Sequence, residues 1–224
     1  MSSGSGLTST KGASDGPPSM VYVIDDDEAV RIALNALLRS AGLHVETFSA
    51  CREFLAFPKK AVPSCLILDV RLQGETGLAF QKELAKSEIR MPIVFMTGYA
   101  DVAMSVRAMK AGAFDFLAKP FRDQEILDAV TDALARDGER VRAEQALVAL
   151  RTAYASLTIR EQEVVRYVIS GLMNKQIAAQ MKLSEVTVKI HRGHAMRKLA
   201  ANSVPDLVRK AEALGLKPQV TGPP

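Results

Sequence analysis

The stretch Ser64-Cys65-Leu66-Ile67-Leu68-Asp69 limits what this chain can fold into more than any other. An unbroken apolar run ends on a carboxylate, and a loop containing Gly74 and Gly77 follows. A short continuous apolar run bounded by turn residues predicts a strand buried on both faces of a parallel sheet. Parallel strands need helical crossovers, and their sheets carry chemistry just past the carboxyl ends of the strands. Asp69 falls at such an end.

The flanking sequence supplies the rest of that sheet. Apolar strands are predicted at 21–24, 44–48, 93–96 and 114–117. Helical periodicity lies between them: Val30, Leu34, Leu37, Leu38 and Ala41 up to Gly42; a helix capped by Ser49 and running to Phe57; one from about Leu78 to Lys86; Val102, Val106 and Met109 up to Gly112; and a last one from Asp123. Five alternations over residues 20–135 predict an α/β doubly wound, five-stranded parallel sheet of flavodoxin/CheY-like type, strand order 2-1-3-4-5. Residues 1–19 are Gly, Ser, Thr and Pro with few apolar groups, a composition that predicts a disordered tail.

Residues 136–156 are charged and Ala-rich, interrupted by Gly138, and predict a helical linker. Leu147, Leu150, Tyr154 and Leu157 step by 3, 4 and 3, either a short seam for a second copy or an ordinary apolar stripe. Residues 157–216 predict a separate all-α four-helix domain. Thr158-x-x-Glu161 is a capping box, Asn174–Met181 a short helix, Ser184 the cap of a longer one, and Ser203-x-x-Asp206 the start of the fourth. Residues 217–224 are a Pro/Gly tail.

The formal charge of +4 hides an asymmetry: residues 20–135 carry net −3 and residues 136–224 net +7. The acidic half and the basic half suggest two tasks, with nucleic acid as the partner of the second. No basic-plus-apolar leader and no apolar stretch near the ~18 residues of a membrane helix appears, so a cytoplasmic location is expected. Cys51 and Cys65 make neither a disulfide framework nor a metal cluster and are expected as reduced core thiols.

Asp25 and Asp26 end the first strand and Asp69 the third, neighbours in the predicted order. At ~4 Å and an effective dielectric of ~20 each like-charge pair costs about 4 kcal/mol, so a cation is needed among them. Hard oxygen ligands in a small open site suit Mg²⁺. Thr97 ends the fourth strand with a hydroxyl and Lys119 follows the fifth with a positive charge. That set of groups is what phosphoryl transfer to an aspartate requires. On Asp25-Asp26, Asp69, Thr97 and Lys119-Pro120, residues 20–135 resemble the receiver domains of two-component response regulators. The resemblance implies that Asp69 is the phosphoacceptor. It implies that Asp26, Asp69 and the Arg71 carbonyl bind Mg²⁺ directly and Asp25 through water. It also implies that Thr97 and Lys119 hold the phosphoryl group, that Lys119-Pro120 is cis, and that Phe116 is the aromatic switch; a plain core role fits Phe116 equally. Gln73 stands where many receivers have Pro, which predicts a looser loop beside Asp69.

Two helices joined by the tight Lys182-Leu183 turn read as a helix-turn-helix. The segments Leu157-Thr158-x-Arg160-Glu161, Gly171-x-x-Asn174-Lys175-x-Ile177-Ala178 and Ser184-x-x-Thr187-Val188-Lys189-x-His191, then Lys198-Leu199, resemble the LuxR/NarL-type DNA-binding domain. With a receiver in front, the chain resembles a FixJ-like response regulator. The resemblance implies that Lys189 and Ile190 face base edges with Arg192 near them, and that Asn174, Lys175, Thr187, His191 and Lys198 touch or border phosphates. Gly193 stands where relatives often carry a larger residue. The fourth helix is the family's dimer face, and its Val204/Leu207/Val208/Ala211 stripe fits a core role as well.

The function expected is a non-enzymatic response regulator. A sensor histidine kinase phosphorylates Asp69, the chain forms a homodimer and binds an operator in double-stranded DNA to control transcription, with RNA polymerase a possible partner and no membrane involved. Two rivals are a transcription factor with a vestigial pocket, controlled by ligand or by redox at Cys51, and a flavodoxin-like enzyme fused to a helical bundle.

Overall fold

The computed structural model describes residues 18–74, 76–87, 89–98 and 102–219. The tail expected over 1–19 lies outside the described residues except for Pro18 and Ser19, and so does 220–224 of the C-terminal tail. The chain divides into two compact units, up to Val141 and from Arg142.

The first unit alternates strand and helix: β1 (Met20–Ile24), α1 (Glu28–Ser40), β2 (His44–Phe48), α2 (Cys51–Ala56), β3 (Ser64–Asp69), α3 (Gly77–Leu84), β4 (Ile93–Thr97), α4 (Val102–Lys110), β5 (Asp115–Ala118) and α5 (Asp123–Ala155). All pairings are parallel and the order is β2-β1-β3-β4-β5. Every residue of β1, β3 and β4 is buried. Because strand side chains alternate faces, the apolar runs divide between two cores. Tyr22, Leu66, Leu68 and Phe95 pack with Phe54 and Phe80, from α2 and α3. Val21, Val23, Cys65, Ile67, Val94 and Met96 pack with Leu34, Leu38, Ile126 and Val130, from α1 and α5. Both cysteines are buried and neither is in a disulfide, and burial pushes the Cys65 thiol far up, away from the reactive thiolate.

Two local expectations change. Ser49 does not cap α2: the N-cap is Ala50, and the Glu53 carboxylate reaches back to accept bonds from the Ser49 N–H and Oγ, both 2.9 Å. Gly138 does not interrupt the helix, and α5 runs unbroken for 33 residues. The cause is tertiary. Asp137 and Gly138 both face inward, and Asp137 Oδ2 accepts the Ser64 N–H at 2.8 Å while its Oδ1 accepts from Arg140 at 2.7 Å. Holding the first N–H of β3 offsets the ~1 kcal/mol that a helical glycine costs.

The second unit packs the C-terminal end of α5 with α6 (Ile159–Ile169), α7 (Asn174–Met181), α8 (Glu185–Lys198) and α9 (Val204–Ala213). Of the expected seam, Leu157 lies in this unit's own core with Val164, Val168, Ile177, Val188 and Leu207, and Leu150 and Tyr154 pack against it. Leu207 and Ala211 of the α9 stripe are core as well. Thr158 and Glu161 form the reciprocal capping box, and Glu161, 3% exposed, also takes Lys198 Nζ at 2.7 Å. The Lys198 bond, ahead of the Thr158 N–H, holds the Glu161 carboxyl below its ordinary value. Lys182 adopts φ 53° at the end of α7, the left-handed residue that makes the tight turn into α8. Among the described residues no helix is long and apolar enough to cross a membrane.

Two outcomes follow. A Cβ on Gly77 would stand 2.4 Å from the Asp69 carbonyl oxygen and 3.1 Å from Phe95 Cε1. Gly77→Ala should therefore lower stability by about 1–3 kcal/mol, read as a reduced urea midpoint. Because the folded-state pKa of Glu161 is depressed, its contribution is complete above the unfolded value of 4.5 and lost as pH falls through the folded one. Glu161→Gln should unfold earlier in urea at pH 7, and the gap from the parent chain should close as pH drops below 4.5, followed by helical ellipticity.

Candidate functional site

Strand register assembles the first site. Ile24 of β1 pairs with Leu68 of β3, so Asp25 and Asp69 end adjacent strands side by side. Asp69 pairs with Met96, which places Thr97 one strand along, and Thr97 pairs with Ala118, just before Lys119. Lys119 Nζ donates to Asp25 Oδ2 at 2.7 Å and to Asp69 Oδ2 at 2.5 Å. Burial raises the Asp25 carboxyl pKa despite its lysine. Burial by itself would lower the Lys119 ammonium, but the bonds and charges of the two aspartates outweigh it and the pKa is raised. Lys119 thus stays charged between them.

The loops fix what the strands deliver. Asp25 Oδ1 accepts the Asp27 N–H at 2.9 Å, and Asp27 caps α1. Arg31, which sequence reasoning missed, donates to the carbonyls of Asp25 at 2.7 Å and Asp26 at 2.9 Å and clamps the turn after β1. Its signal was a basic residue one turn into the helix that follows an acidic cluster. Asp69 Oδ1 accepts the Arg71 N–H at 2.8 Å, Gly77 N–H bonds the Val70 carbonyl, and Arg71 bridges Thr76. These ties hold the two ends of the loop that carries Gln73. Lys119-Pro120 is cis. Phe116 is half-buried, its ring centroid 6.4 Å from that of Phe95.

The three acidic residues are not gathered equally. Asp25 and Asp69 converge on Lys119, whereas Asp26 is half-exposed and lines a cleft of about 490 Å³ with Ser49, Arg52, Gln73 and Gly74. Among the described residues no three acidic, His or Cys side chains are grouped so as to hold a metal ion by themselves. The lysine ammonium takes the place between the two inner carboxylates.

The second site is α8 and its surroundings. Ser184 Oγ accepts the Thr187 N–H at 3.0 Å and lies 2.7 Å from Thr187 Oγ1, so Thr187 is part of the cap. Val188 and Ala195 are buried at 0% and 1%, and they turn the opposite side of α8 outward. Lys189 and Ile190 are exposed there, and Val186, apolar and off the Val188 stripe, is 68% exposed on the same side. Arg192 is half-buried, its Nη1 donating to Asn174 Oδ1 at 3.0 Å, which joins the start of α7 to the middle of α8. His191 is half-buried and Lys175 exposed. Lys198 has partners inside the unit. It lies at the far end of α8 and is bound to Glu161 and, at 3.2 Å, to the Ser156 carbonyl, because the buried Glu161 charge needs a partner. Its ammonium is thus paired within the helical unit.

Comparison with known proteins agrees with this division. The model for "Response regulator receiver domain" matches residues 21–131, and that for "Bacterial regulatory proteins, luxR family" matches residues 155–211. Nodulation protein W of Bradyrhizobium diazoefficiens is 50% identical over 198 residues, covering 88% of this chain and 87% of its own. Transcriptional regulatory protein FixJ of Azorhizobium caulinodans is 41% identical, covering 88% and 94%. The structure of the response regulator StyR matches with a TM-score of 0.77 at 45% identity, covering 88% of this chain and 99% of that one. The flavodoxin-like enzyme is thereby excluded. The chain belongs to the response regulators, transcription factors rather than enzymes, that couple a receiver domain to a LuxR-type DNA-binding domain.

Proposed function

We propose that Asp69 accepts a phosphoryl group from a histidine kinase, and that this promotes dimerisation and operator binding by α8. The family supplies the coarse frame: a receiver implies a sensor kinase, and a LuxR-type domain implies DNA. One observation carries the finer reading, the bridging of Asp25 and Asp69 by Lys119 with Thr97 on the next strand. Asp69 Oδ2 is the nucleophile candidate. Lys119, held as an ammonium, can follow the added charge of about −2, and the Thr97 hydroxyl can donate to the same group.

The donors fit Mg²⁺. Two carboxylates share a single lysine and Asp26 adds a third, so negative charge is in excess, and burial has already pushed the Asp25 carboxyl up. An open, water-rich magnesium site needs only one or two carboxylates. Asp26, Asp69 and the Arg71 carbonyl would hold the ion directly and Asp25 through water. When bound, it neutralises the oxygens of the transferring group. The chain's own residues do the rest: the Arg31 clamp fixes the β1 turn and the Arg71 N–H fixes the Asp69 carboxylate.

Phosphorylation draws Thr97 and Lys119 inward and Phe116 follows. It biases an existing equilibrium rather than creating a new state. Val106 and Met109 of α4, 45% and 46% exposed, are the apolar surface that a second receiver would cover. Domain bounds of 20–135, 136–156 and 157–216 follow the same reading. Control by oxidation of Cys51 finds no support, since that thiol is 1% exposed.

Asp69→Asn should abolish dimerisation induced by a small acyl phosphate with Mg²⁺, seen by sedimentation; unchanged dimerisation sinks the switch. Lys189→Ala should weaken specific operator binding at least tenfold while leaving the fold intact, and an undiminished footprint rejects α8 as the reading helix.

A further inference from the structure

Three facts about α8 have no explanation inside the protein. Val186 and Ile190 are 68% and 51% exposed. They stand one turn apart, with Lys189 between them. Gly193 completes the stripe, since residues at i, i+3, i+4 and i+7 share one face of a helix. That glycine has no structural reason to be one. Its backbone is not in the left-handed region, and a Cβ there would meet nothing within 4 Å. It sits within a 14-residue helix, where alanine would be the more stable choice.

The opposite face is occupied: Val188 and Ala195 pack into the helical core. So α8 is apolar on two sides, one buried by its own chain and one left open. The open side is flanked by cations. Lys189 stands within it, and Arg192 is fixed beside it by Asn174. An apolar strip with cations along one border suits the floor of a major groove beside a phosphate row. The apolar group offered there is the thymine C5-methyl.

We propose that α8 reads its operator partly through thymine methyl groups, which lie against Val186 and Ile190, and that Gly193 is a notch allowing the helix to approach the base edges closely. This rests on the assignment of α8 as the groove-reading helix and gives it a substrate class: sites with thymines placed under the stripe. Lys189 and Arg192 supply the polar part of the recognition. Gly193 acts by what it lacks, so a methyl there should hold the helix off the groove floor.

The test uses the full-length chain and a duplex carrying a site mapped by its own footprint. Each thymine in the protected half-site is replaced in turn by uracil, which removes only the methyl. At one or two positions binding should fall by about fourfold per methyl. Val186→Ala or Ile190→Ala should then bind the thymine and uracil duplexes alike at one of those positions. Gly193→Ala should raise the thermal midpoint and weaken binding to the thymine duplex, with less loss on the uracil duplex. That opposition of stability and affinity is not what a merely structural glycine produces. If every uracil duplex binds as tightly as its thymine parent while the footprint persists and Lys189→Ala still weakens it, methyl readout is overturned and the α8 assignment survives. If the parent chain yields no footprint at all, the assignment itself fails. If Gly193→Ala binds the thymine duplex as tightly as the parent, the notch is overturned.

Discussion

One ammonium group held between two carboxylates governs the receiver half of this molecule. Lys119 Nζ lies 2.7 Å from Asp25 Oδ2 and 2.5 Å from Asp69 Oδ2, at the rim of a sheet with little exposed area. Without it, two adjacent carboxylates would repel by several kcal/mol in a setting that water screens poorly. With it, residues 94 and 50 positions away in sequence close a ring across β1, β3 and β5. The pocket is therefore neutralised in part before any further cation or phosphate arrives. Arg31 and the Asp27 and Arg71 N–H groups position the carboxylates around that ion pair.

The sheet makes the ring possible. Strands buried on both faces leave their side chains no functional outlet except at their ends, so the chemistry gathers at the carboxyl rim. The tight approach of Gly77 to the Asp69 carbonyl shows how little slack the rim has. The helical unit solves a different problem. Its Glu161 carboxylate satisfies the start of α6 and, through Lys198, ties the end of α8 to the Ser156 carbonyl. That bracing leaves the outward face of α8 free of structural duty.

Much of this was legible in the letters. Alternation of apolar runs and helical periods specified the sheet and its strand order, and Thr158, Ser184 and Ser203 announced their helices as caps. The strand-end residues stood out because they recur at the ends of consecutive strands. What the letters did not show depended on side-chain contacts, some local and some remote in sequence. Gly138 reads locally as a break, and only the bond from Ser64 to Asp137 explains why the helix continues. Ser49 reads as a cap until Glu53 proves to be the group that reaches back. Lys198 looks like any basic residue on a DNA-binding helix, and its partner lies 37 positions away. Arg31 was hidden because a basic residue in a first helix is ordinary until its guanidinium is found on two carbonyls.

The burial of both thiols has a practical side. Cys51 and Cys65, 1% and 0% exposed, are the only two cysteines in the chain. Maleimide dyes and spin labels therefore meet no reactive native sulfur on the folded surface. A cysteine introduced on α4 or α8 becomes a unique attachment point, and the receiver and the DNA-binding unit can each carry a fluorescent reporter without first stripping sulfur from the core.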